Sequence, residues 1–126
     1  MDVPHPGPRP PSFEFPFEAA RAARAAALEA AEELRATARR HEAAADEAMA
    51  GFAGSTRDRF EAELAALIDG CRAHAEALED QAAAIDTDVT DARERQTRAQ
   101  LAQSRWERDL SRWREARQQQ TQASPS

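Results

Sequence analysis

Three histidines, one cysteine and 23 carboxylates are the groups of this 126-residue chain that could hold a metal or act on a substrate. Two histidines joined by a carboxylate or a thiolate would make a zinc- or nickel-type site. A cysteine beside a base would make a nucleophile. The spacing of these residues supports neither. His5 sits in a proline-rich stretch, away from the other two histidines. Cys71 has no histidine or acid set around it in a nucleophile pattern, and reads as a small buried apolar residue. No glycine-rich loop is present that could cradle a phosphate. The acids recur at helical spacing with arginines three or four positions away, the pattern of a solvated helix face. The expectation is a non-enzyme, with no catalytic residue, no cofactor and no metal.

Placing His41 and His74 requires the elements that carry them. Hydrophobic residues make up 41% of the chain, but alanine supplies most of them, so the core must be thin. Tyrosine is absent and the chain has only two tryptophans and five phenylalanines. From about residue 17 to 50 a seam runs at alternating three- and four-residue steps through Ala20, Ala23, Ala27, Ala31, Leu34, Ala38, His41, Ala45, Ala48 and Phe52. Its small residues let a partner helix approach closely. A second seam runs through Phe60, Leu64, Leu67, Cys71, Ala75, Leu78, Ala82, Ile85, Val89, Ala92, Gln96, Ala99, Gln103, Trp106, Leu110 and Trp113, a heptad rhythm of the coiled-coil type. If the two helices fold into a hairpin centred near residue 53, helix rise separates His41 and His74 by about 12 Å along the axis. That is too far for one metal. Each is expected half-buried and neutral.

The stretch "MAGFAGSTRDRF", residues 49–60, interrupts the helical composition. Gly51 can adopt the left-handed conformation that stops a helix. Ser55 can cap the next one, with Asp58 three residues on. Phe52 between them can fold over both helix ends. These features predict an all-α fold: an antiparallel two-helix hairpin with a long, coiled-coil-like second helix extending beyond the first. The predicted organisation is a Pro-rich extended or disordered tail at 1–16, a hairpin at 17–92 with its loop near 51–55, a helical extension at 93–117 and a disordered tail at 118–126. Six of the seven prolines fall in the first 16 residues, which excludes helix there and favours polyproline II. That segment reads either as a tail or as a docking ligand.

The loop resembles that of the WXG-motif proteins, small helical hairpins associated with type VII secretion. In "FAGSTRDRF" Phe52 stands where the family has Trp, Gly54 matches the motif glycine, and Phe60 occupies the aromatic position eight residues on. The resemblance covers about residues 17–92. It implies dimers, four-helix bundles and export of folded pairs without a cleaved signal peptide. Secreted members often carry Tyr-x-x-x-Asp/Glu after the second helix. This chain has no tyrosine, and Leu110 and Arg117 stand four residues after Trp106 and Trp113.

Charge divides the chain. Residues 51–92 hold ten acids and three arginines, net −7, whereas residues 93–126 hold four acids and eight arginines, net +4. The basic extension carries Trp106, Leu110 and Trp113 on one stripe, the expected interface. That stripe could pack on another chain, fold back on Phe13, Phe15 and Phe17, or present its arginines to an anionic surface. Interspersed Glu107, Asp109 and Glu115 argue against membrane and nucleic-acid ligands. The expected partner is a second copy or a sibling hairpin, with a secretion ATPase or a toxin as further candidates, and no small-molecule substrate. The expected function is that of a dimeric substrate, partner or adaptor of a type VII system; the alternative is a cytosolic coiled-coil or chaperone-like adaptor. The expected location is the cytoplasm, or outside the cell without a cleaved signal peptide.

Overall fold

Helix-forming alanine, glutamate and arginine dominate the chain after residue 16, and the structure, a computed structural model, is accordingly all-α. It describes residues 2–51 and 53–123. Helix α1 is Phe17–Met49 and helix α2 is Gly54–Ala123, 70 residues without interruption. At 1.5 Å per residue, α1 is about 50 Å long and α2 about 105 Å. No strand occurs among the described residues. The chain forms two compact units, one of residues 16–89 and one that combines 2–15 with 90–123.

The first unit is an antiparallel hairpin. Pro16 precedes α1, where its missing N–H costs nothing, and its carbonyl accepts from Ala20 N–H at 3.0 Å. Glu18 in the first turn complements the helix dipole. Buried Ala27, Ala31, Ala38 and Ala45 of α1 share the core with Ile68, Ala75 and Ala82 of α2. Within the first seam, Ala23 and Ala48 are exposed and the residues between Ala27 and Ala45 carry the packing. Ion pairs of opposite running order join the helices: Arg24 with Asp86 at 2.7 Å, Arg35 with Glu79, and Arg72 with Glu42. The Arg35 guanidinium donates from both Nε, at 2.8 Å, and Nη2 to the same Glu79 oxygen. These side chains are 42–54% exposed, so each pair is worth well under about 1 kcal/mol and serves register more than stability.

Every position of the second seam is buried or half-buried except one. Leu67 is 50% exposed, and its neighbour Ile68, at 7%, takes its place. A step of four residues instead of three between Leu64 and the next core residue makes the difference. The helix also runs further than composition suggests: 118–123 continue α2, with Thr121 Oγ1 donating to the Arg117 carbonyl at 2.9 Å.

The second unit pairs the proline-rich segment with the far part of α2. The segment has no helix or strand, as its prolines require. It lies along α2 in the opposite direction, with Asp2 at Gln120, Gly7 at Trp106 and Pro10 at Gln103. The spacing explains the fit. Eight polyproline II steps cover about 25 Å, and seventeen α-helical steps cover about the same. The two lengths therefore match end to end, from Asp2 to Pro10.

Candidate interaction surfaces

The loop comes first because the sequence places a motif there. Helix α1 ends in a tight turn: Ala50 is right-handed helical (φ −62°, ψ −22°) and Gly51 N–H donates to the Ala48 carbonyl at 3.2 Å. Gly51 therefore does not take the left-handed conformation expected of it. Gly54 does, with φ +71°, at the first residue of α2. The reversal is completed on the far side of the loop, and Ser55 falls inside the helix instead of capping it. Phe60 is half-buried on the core side of α2. Phe52, the position compared with the family's tryptophan, lies outside the described residues.

The groups considered for chemistry are scattered. His41 and Cys71 are half-buried and His74 is exposed, so His74 departs from the half-buried position expected of it. The face of α2 that turns inward is set by Cys71, Ala75 and Leu78, and residue 74 lies off it. Among the described residues no group of three or more His, Cys, Asp or Glu converges on a point where a metal could sit.

The most structured surface is the aromatic stripe of α2. Trp106 and Trp113 are seven residues apart, two turns of one helical face, and both are half-buried. Trp106 Nε1–H donates to the Gly7 carbonyl at 2.8 Å. The His5 ring meets Trp113 edge-on, with centroids 4.6 Å apart and an interplanar angle of 83°. The Arg117 guanidinium stands 5.1 Å from the Trp113 ring centroid, a cation–π contact worth about 0.5–1 kcal/mol at an exposed site. Gln103 Nε2 donates to the Pro10 carbonyl at 3.3 Å, Gln120 Nε2 to Asp2 Oδ1 at 2.8 Å, and Arg9 lies 3.6 Å from Glu107. Leu110 is half-buried between the tryptophans.

Gly7 is what lets one short segment reach both indoles. Its φ of +82° is a left-handed turn that L side chains rarely adopt. The turn is closed by Gly7 N–H donating to His5 Nδ1 at 3.0 Å. That bond fixes the His5 ring against Trp113 while the Gly7 carbonyl faces Trp106. Sequence reasoning places an interface on Trp106, Leu110 and Trp113; in the structure residues 5 and 7 of the same chain lie against the two tryptophans. The signal that could have identified the segment is glycine flanked by prolines, "HPGPRP", a turn within an otherwise stiff strand of prolines.

No protein-family model, curated protein or solved structure matches this chain.

Proposed function

We propose that the chain is a small non-catalytic helical hairpin that works by pairing with a second helical chain, its own copy or a sibling, as a component of a type VII, WXG-type secretion system. One observation carries the reading. Among the described residues of the hairpin unit the buried side chains are six alanines and Ile68, and no large side chain is fully buried. Alanines bury little area, and at about 25 cal/mol per Å² they contribute little against an ordering cost of about 1–2 kcal/mol per residue. A small helical scaffold in that position is stabilised by another helix or another chain. Exposed Ala26 and Ala44 on α1, and Ala66, Ala73 and Ala77 on α2, leave faces of small side chains on which a second hairpin could pack at short range. The likeness to WXG hairpins rests on the sequence of the Phe-Ala-Gly loop.

Sedimentation equilibrium of the full chain tests the pairing. A dimer is expected at tens of micromolar; a folded monomer at every concentration rejects it. The secretion half is tested separately, by comparing the culture medium of cells with and without the type VII ATPase. Appearance of the chain in the medium only when the ATPase is present is the expected result. A second reading, a chaperone-like adaptor that stays in the cytoplasm, is favoured by the missing tyrosine of the export signal. Retention in cells that export other hairpins would select it.

A further inference from the structure

We propose that the aromatic face of α2 between Gln103 and Gln120 is a recognition site for a proline-rich chain in extended conformation, that residues 2–10 occupy it as a built-in competitor, and that its partner is a proline-rich segment of another protein. The bound segment is itself the template for the ligand. An indole N–H donates to the carbonyl that follows a proline, and a glutamine donates to a second carbonyl three residues on. These are the contacts by which aromatic-lined grooves read polyproline II elsewhere: the helix has no internal hydrogen bonds, so its carbonyls are free to accept. The charges at the two ends add direction. A carboxylate stands at the Gln120 end and a basic residue at Glu107. The ligand pattern is therefore an acid, then a Pro-Gly-Pro turn, then an arginine or lysine.

The internal segment fills this site incompletely. Val3 is 39% exposed and His5 is also exposed, although both belong to the bound stretch. A cavity of about 280 Å³ remains among Val3, Pro4, His5, Pro6, Asp109 and Arg112. Trp106, Leu110 and Trp113 stay only half-buried beneath the segment. A longer or bulkier proline-rich chain would cover apolar surface that the internal segment leaves wet. Tethering gives the internal segment its advantage, an effective concentration in the millimolar range. It holds the site closed to weak ligands and yields to strong ones.

Gly7→Val opens the site without altering it. No atom lies within 4 Å of the position a Cβ would take at Gly7, so the added Cβ itself meets nothing of α2. It acts on the backbone, because a β-branched residue is strained at φ +82°. Trp106 and Trp113 are the only tryptophans and tyrosine is absent, so intrinsic fluorescence reports on this site and nothing else. The experiment titrates full-length wild type, Gly7→Val, and Gly7→Val combined with Trp106→Phe. The probe is a synthetic peptide of residues 2–12, and the control is the same peptide with its prolines replaced by alanine. Far-ultraviolet circular dichroism establishes that the helices are intact in each variant. The Gly7→Val chain should emit further to the red, and the proline peptide should reverse the shift with a Kd at least about tenfold below that for wild type. Adding Trp106→Phe, which keeps an aromatic ring but removes the donor, should weaken the peptide several-fold. No response of Gly7→Val up to about 1 mM peptide, near the tethered concentration, overturns the proposal. So does an equal response to the alanine peptide. A wild-type emission that shifts to the blue with the chain's own concentration would make a second copy the occupant and overturn the assignment to another protein.

Discussion

Ala75→Leu should cost the hairpin about 1–3 kcal/mol, although leucine is nearly as good a helix former as alanine and far more hydrophobic. Ala75 has 0% exposure and faces a row of alanines that includes Ala31 at 2% and Ala38 at 1%. Helices packed through alanine approach toward the short end of the usual 8–10 Å range. Leucine adds three carbons to that gap. If room existed, burying them would return roughly 2 kcal/mol of transfer energy. With no room, the helices must separate or the side chain must leave its rotamer, and either course loses alanine contacts along several turns. Separation would also stretch the Arg35–Glu79 pair, now at 2.8 Å through Nε. For a unit of this size, about 1 kcal/mol moves the melting temperature by roughly 4–8 °C, so a fall of about 5–20 °C is expected. Ala83→Leu, on an exposed position of the same helix, is the control and should change stability by no more than about 0.5 kcal/mol. Melts followed at 222 nm, at one fixed protein concentration, compare the two. Equal melting temperatures, or a more stable Ala75→Leu, would refute close packing through the alanine seam.

Gly54→Leu should cost about 1–3 kcal/mol through its φ of +71°, and Gly51→Ala should be neutral or slightly stabilising because its Cβ would meet nothing nearer than 3.8 Å; denaturant melts of both decide it. A double-mutant cycle on Arg35 and Glu79 should give a coupling of only about 0.2–1 kcal/mol that shrinks with added salt, and a coupling above 2 would mean the pair is far better shielded than its exposure implies. Isothermal titration with zinc or nickel should show no stoichiometric site, and micromolar binding removed by changing His41 or His74 would contradict the scatter of these groups.

Periodicity made the two helices and most of their inward faces readable in advance. The failure at Leu67 is instructive. Leu67 and Ile68 are adjacent and both apolar, and steps of three or four from Leu64 are equally helical, so only the facing helix decides between them. Gly51 and Gly54 pose the same difficulty: either could turn the chain, and the choice depends on where α1 stops. Composition favours neither helix nor tail strongly over the polar run 118–123, yet it continues the helix. The proline-rich segment was legible as extended but its seat was not. Its hydrogen bonds join residues 93, 99 and 118 positions apart, and no local pattern encodes such a pairing.

Those separations also set an order of events during synthesis. The indole from which the Gly7 carbonyl accepts lies 99 residues later in the chain. At about 5–20 residues per second, the ribosome needs roughly 5–20 s to reach that tryptophan. For that interval the proline segment has no seat, while α1 can form by local bonds alone. The proline segment is thus made before its seat, and any protein that binds extended proline stretches meets it before its own helix does.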